Sequence, residues 1–166
     1  VAVEDQRFFD HNGVDLVRIA GAGLANLREG RRAQGGSTLT QQLARNLFPE
    51  AIGFTIGDLS IERKIKEALV AIQIEKRYTK REILTLYANH VPFGHGRYGV
   101  ESAARLYFDK SAKDLSLEEA ALLAGIVQRP ARQSPFVDLN AATIRRDYAL
   151  QRMAEEFGAR SAQATG

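Results

Sequence analysis

Apolar residues recur at intervals of three and four along nearly the whole chain, and nowhere do they alternate with polar ones in the rhythm of a half-buried strand. That spacing restricts the fold to helices packed on helices, an all-α architecture. Val14, Val17, Ala20 and Leu24 mark a helix from Val14 to about Arg28. Thr38-Leu39-Thr40-Gln41 is a capping box, in which the threonine hydroxyl and the glutamine amide satisfy each other's backbone N–H groups; it opens a helix to about Leu47. Pro49, Gly53 and Gly57 then mark a loop from Leu47 to Leu59 that is unusually apolar, with Phe48, Ile52, Phe54 and Ile56.

Ser60 is the expected N-cap of a long helix to about Arg77, with Ile61, Ile65, Leu69 and Ile72 as its buried stripe. Thr79 and Glu82 form a second capping box, opening a helix to about Asn89. Val91 to Gly99 carries too many glycines to continue it and is expected as a loop. A helix follows from Val100 to Phe108. Ser116 and Glu119 cap the next, which ends after Gln128, ahead of Pro130. The last amphipathic helix is expected over Asn140 to Phe157, with residues 158–166 a frayed tail or the start of a linker.

A length of 166 residues suits one domain or two small lobes, and 45% hydrophobic with 26% charged residues is the composition of a folded chain. The net charge of +3 favours anionic partners without choosing among them. Without cysteine there is neither a disulfide framework nor a thiolate metal site. No run approaches the roughly 18 apolar residues of a membrane span. The chain opens on Val1-Ala2-Val3 and runs straight into a polar cluster, which reads as a domain truncated at its N-terminus.

Three polar constellations interrupt the core-forming pattern. Arg63, Lys64 and Glu67 share a helical face, since residues three and four apart are neighbours. By themselves they read as ion pairs on a solvated surface, off the apolar stripe. Glu4 and Asp5 precede Phe8 and Phe9, so an apolar wall stands near at least one carboxylate; they serve either as a cap or as a general base oriented by His11. Gly35-Gly36-Ser37-Thr38 leads into a helix and offers free backbone N–H groups to an anion, without the lysine-serine pattern of a nucleotide-binding loop. Gln42, Arg45 and Asn46 on that helix are too polar for a plain buried surface.

Together these segments resemble, in order, the motifs of the peptidoglycan glycosyltransferases, the lysozyme-like transglycosylase domain of class A penicillin-binding proteins and their monofunctional relatives. Glu4, Asp5, Phe8, His11 and Gly13 match the first motif, Gly35 through Gln42 the second, and Arg63, Lys64 and Glu67 the third. Ile83-Leu84 through Tyr87, Asn89, Gly94 and Gly99 to Phe108, and Glu119-Ala120 to Pro130, look alike too. The similarity runs from Val1 to about Met153. The chain departs from it at Thr85, where relatives usually carry glutamate, at Ala88, where they carry leucine, in a longer Pro49–Leu59 loop, and in the loosely kept prolines 130 and 135.

The resemblance implies a lysozyme-like helical domain over residues 1–157, with a smaller apolar lobe facing a membrane. It also implies polymerisation of lipid II into β-1,4-linked glycan, with inversion and release of polyprenyl diphosphate. Glu4 and Glu67 would be catalytic. Asp5, His11, Ser37, Thr38, Gln42, Arg45, Asn46, Arg63 and Lys64 would bind substrate. No cofactor is required, though Glu67 is where a divalent cation, Mg2+ or Mn2+, would touch the diphosphate. Implied partners are lipid II, the growing polyprenyl-linked strand and the membrane surface, with room for a fused transpeptidase domain or other cell-wall synthesis proteins. The implied location is the periplasmic face of the inner membrane, held by an anchor outside this chain. The nearest rival is a lysozyme-like hydrolase or lytic transglycosylase, which needs a general acid and leaves the cations unexplained. A basic nucleic-acid binder is disfavoured, because 20 acids nearly balance 23 bases.

Overall fold

The computed structural model describes residues 1–21, 36–53 and 60–164, with side chains described as far as 158. Leu24, Gly35, Phe54, Ile56 and Gly57 lie outside the described residues. The chain divides into two compact units, one of Arg7–Tyr87 and one of Val1–Gln6 with Ala88–Gly166.

In the Arg7–Tyr87 unit, α1 (residues 16–21) starts from Asp15, whose carboxylate accepts the Arg18 N–H at 3.0 Å. Helix α2 (Leu39–Leu47) opens on the capping box expected from sequence, with both reciprocal bonds made. The expected loop after Leu47 begins instead with a short helix, α3 (Pro49–Ile52). Proline suits a first helical turn because its missing N–H has no partner there, and Gly53 ends the helix in the left-handed conformation. Helix α4 (Ile61–Arg77) starts at Ser60, whose hydroxyl accepts the Arg63 N–H. It packs against α2, which contributes Leu39, Leu43 and Ala44 to the core.

The stripe expected to be buried on α4 is the wrong face. Ile61, Ile65 and Leu69 are 79%, 55% and 59% exposed, whereas Arg63, Glu67, Ala71 and Ile74 are buried. Ile72 is half-buried. Helical periodicity separates two faces without saying which turns inward. Here the polar face can be buried because its charges neutralise one another.

Gly13 lies against this same helix. A Cβ there would sit 2.9 Å from the Ala71 carbonyl carbon, and its φ of +90° is also unfavourable for any other residue.

Helix α5 (Lys80–His90) starts at Thr79, whose N–H and hydroxyl both donate to Glu82. In the second unit the expected loop after it contains a small hairpin. Strand β1 (Pro92–Gly94) pairs antiparallel with β2 (Arg97–Tyr98) around a bulge. His95 and Gly96, both at positive φ, make the tight turn that brings the strands together. Helix α6 (Val100–Phe108) follows Gly99, where a Cβ would meet the Asn89 carbonyl oxygen at 2.5 Å.

Helix α7 (Leu117–Ile126) opens on the expected Ser116–Glu119 capping box. It stops short of Gln128, and a short α8 (Pro130–Gln133) intervenes. The final helix α9 (Leu139–Ala164) runs past its expected end at Phe157. Gly158 sits inside it, costing about 1 kcal/mol relative to alanine without breaking the helix. Helices α7 and α9 form the main packing of this unit, through Leu123 and Ile126 on one side and Ala142 and Ala149 on the other. The architecture is all-α, in keeping with a lysozyme-like domain. Among the described residues, no helix is long and apolar enough to cross a membrane.

Candidate active site

The buried face of α4 carries the third motif. Glu67 is fully buried, and three cations converge on its carboxylate. Arg63, one turn before it, pairs with Oε1 and is itself buried. Lys64 Nζ approaches Oε2 at 2.9 Å, and Arg45 from α2 lies 3.5 Å from Oε1. Lys64 also donates to the Ser37 hydroxyl at 2.7 Å, so the segment entering α2 joins the cluster. One carboxylate and three cations leave a net positive charge. Arg63 is hidden, but the Lys64 and Arg45 side chains remain 42% and 25% exposed. The site therefore presents excess positive charge to solvent above a buried acid, an arrangement that suits a doubly charged anion.

A second network fixes the first two motifs against each other. The Thr38 hydroxyl, fully buried, donates to the Gly13 carbonyl at 2.6 Å and accepts the Gln41 N–H. His11 accepts the Gly13 N–H on Nδ1 and stacks edge-on against Phe8. Lys80 Nζ donates to the His11 carbonyl and to Glu75, and lies 4.4 Å from the centre of the Phe8 ring. Thr40 donates to the same Glu75 carboxylate at 2.6 Å. Gln42 accepts the Tyr87 hydroxyl proton at 3.1 Å. Thr38 and His11 thus have framework roles as well as motif positions. Asn46 is exposed at the end of α2.

The sequence reading missed Glu75 and Lys80. Their partners His11 and Thr40 are far away in sequence, and only the acid–base pair five residues apart, in a helical segment, hinted at them.

Glu4 and Asp5 belong to the other unit. They lie in a turned segment whose backbone closes from the Asp5 N–H to the Val1 carbonyl. Asp5 is fully buried. Glu4 is mostly buried and has Arg145 of α9 3.9 Å from its carboxylate.

Among the described residues, no three acidic or imidazole side chains converge as a metal-ligand set. Both Glu67 oxygens are already engaged by cations, so a divalent ion there would have to displace one of them. This donor set fits an anion better than a metal.

The family model described as Transglycosylase matches residues 1–154. Penicillin-binding protein 1A of Aquifex aeolicus is 49% identical over 156 residues, covering 94% of this chain and 21% of that protein. Penicillin-binding protein 2D of Bacillus subtilis is 47% identical, covering 94% and 22%. Penicillin-binding protein 1A of Escherichia coli is 44% identical over 158 residues, covering 94% and 18%. The chain spans about a fifth of the length of these relatives.

Proposed function

The chain belongs to the transglycosylase family, and from that premise we propose that it polymerises lipid II into β-1,4-linked glycan strands. On this reading Glu4 is the general base. It takes the proton from the acceptor's sugar 4-hydroxyl as that oxygen attacks the donor's anomeric carbon. The bond to the polyprenyl diphosphate breaks on the opposite face, the configuration inverts, and the diphosphate leaves with the bonding electron pair. A positioned base typically contributes about 10²–10⁴-fold.

The observation that carries the reading is the buried Glu67 among Arg45, Arg63 and Lys64. A leaving diphosphate gains negative charge in the transition state, and preorganised cations stabilise that charge without rearranging. Glu67 holds the cations in place, and the reaction is drawn without a metal. Ser37, joined to Lys64, and Gln42 and Asn46 on α2 serve as polar contacts to the substrate, with Asp5 beside the base.

We assign to the membrane interface the exposed apolar residues Ile61, Ile65 and Leu69 of α4, and with them the exposed Leu16, Val17 and Phe48 of the same unit. Phe48 belongs to the Leu47–Leu59 loop expected in this role; Ile52 of that loop is buried, and Phe54 and Ile56 lie outside the described residues. A membrane anchor and a fused transpeptidase domain, both outside this chain, would put the reaction on the periplasmic face of the inner membrane.

Supplying lipid II to the protein tests the proposal. Glycan polymer is expected from the native protein and not from Glu4→Gln. Soluble fragments released from preformed peptidoglycan, with no polymer made, would instead point to a hydrolase.

A further inference from the structure

We propose that Arg145 is a positioning residue for Glu4, a role that rests on the reading of Glu4 as the general base. Glu4 is placed very differently from Glu67. It sits on a turn rather than a helix, and its side chain is long and rotamer-rich. Arg145, far away in sequence on α9, approaches its carboxylate.

The Arg145 guanidinium is itself held from two directions. Its Nε donates to the Gly125 carbonyl at the end of α7, at 2.9 Å, and its Cζ lies 5.1 Å from the centre of the Tyr148 ring. Gly125 makes this possible. A Cβ there would stand 2.7 Å from the Arg145 carbonyl oxygen, so only glycine lets α9 come close enough for the guanidinium to reach across.

Held this way, Arg145 turns Nη2 toward Glu4 Oε1 at 3.9 Å, and that nitrogen is buried without a hydrogen-bond partner among the described residues. An unmatched guanidinium N–H is costly to bury, and the Glu4 carboxylate is the anion 3.9 Å from it. Both side chains are mostly buried, 17% and 12% exposed, where a charge pair is poorly screened.

Arg145 therefore does two things for Glu4. Its fixed charge attracts the carboxylate across the 3.9 Å gap. Its rigid plane limits where that carboxylate points. The 3.9 Å gap is short enough for attraction and too long for a hydrogen bond, so Arg145 restrains the carboxylate without donating a hydrogen bond to it.

The test measures polymerisation kinetics with lipid II in the full-length protein carrying Arg145→Gln, Arg145→Lys, Glu4→Gln, and Glu4→Gln combined with Arg145→Gln. Arg145→Gln is expected to lower kcat on the order of ten- to a hundredfold, with KM changed less than about twofold. Arg145→Lys should recover part of that loss, because it restores the charge but not the plane. Once Glu4 is already glutamine, Arg145→Gln should cost nothing more.

An unchanged kcat for Arg145→Gln, a rise in KM alone, or a full further loss in the Glu4→Gln background would overturn the proposal. Should Arg145→Gln fold poorly, the Lys variant decides: a kcat no better than that of its folded fraction of Arg145→Gln contradicts it. Full activity of Glu4→Gln would instead remove the general-base reading, and the positioning role with it. Loss in Glu4→Gln beside an intact Arg145→Gln would remove the positioning role alone.

Discussion

Helices α4 and α7 are both capped by serine, and both mix charges with apolar residues, yet they bury opposite kinds of face. Helix α7 turns Ala121, Leu123, Gly125 and Ile126 inward and leaves Glu118 exposed. Helix α4 turns Arg63 and Glu67 inward and leaves Ile61, Ile65 and Leu69 exposed. Helix α7 follows the ordinary hydrophobic logic of a structural element. Helix α4 gives up burial of three large aliphatic side chains to hide a charge cluster. On the proposed function, such a helix would meet an anion at its charges and an apolar phase at its aliphatics.

Replacing the two carboxylates should produce the largest effects and should separate their roles. Glu4→Gln should lower polymerisation by about 10²–10⁴-fold while leaving thermal unfolding near the native value, since the proposed general base would support chemistry rather than the fold. Glu67→Ala should damage both activity and stability. Removing one partner of a buried ion cluster typically costs about 3–5 kcal/mol, which chemical denaturation would read directly. A Glu67→Ala protein as stable as the native one would mean that the cluster is solvated and the contrast with α7 is false.

The apolar residues should then show the reverse ranking. Ile126→Ala in α7 should destabilise by about 2–5 kcal/mol, because its side chain is fully buried. Leu69→Ser in α4 should change stability by less than about 0.5 kcal/mol but weaken binding to liposomes. Equal destabilisation by both would place the α4 stripe in a core after all.

The smallest effects belong to the surface charges. The Glu62–Lys66 pair on the exposed side of α4 should contribute no more than about 0.5 kcal/mol, so Lys66→Ala should be silent in both assays. At the cap of α7, the Lys110 ammonium and then the Ser116 N–H hold the Glu119 carboxyl below its ordinary value. A carboxyl lowered in the folded state stabilises above its unfolded pKa and loses that contribution as pH falls through the folded value. Glu119→Gln should therefore lower the melting temperature slightly at neutral pH and not in strong acid.

Much of this was legible in the sequence. The three capping boxes and the serine cap of α4 are local devices, and each appears where its residues predict. The residues of the third motif do converge, because helical spacing alone brings Arg63 and Lys64 beside Glu67. What stayed hidden depends on distant partners. Periodicity found two faces on α4 but could not show that Arg45 of α2 would help to neutralise the charged one. The hairpin at Pro92–Tyr98 escaped notice because glycines that break helices also make tight turns. Lys80 carries only the faint local mark of Glu75 five residues before it and Arg145 carries none, and the contacts of each reach residues many positions away.

The most direct measurement for the claim that the buried face of α4 serves an anion is the affinity for a polyprenyl diphosphate, compared between the native protein and Lys64→Gln. Lys64 is the more exposed of the cluster's two accessible cations, joined to both Glu67 and Ser37. Losing one charged hydrogen bond to the diphosphate should weaken binding by about tenfold or more, with the fold retained. Equal affinity in the two proteins would contradict the account.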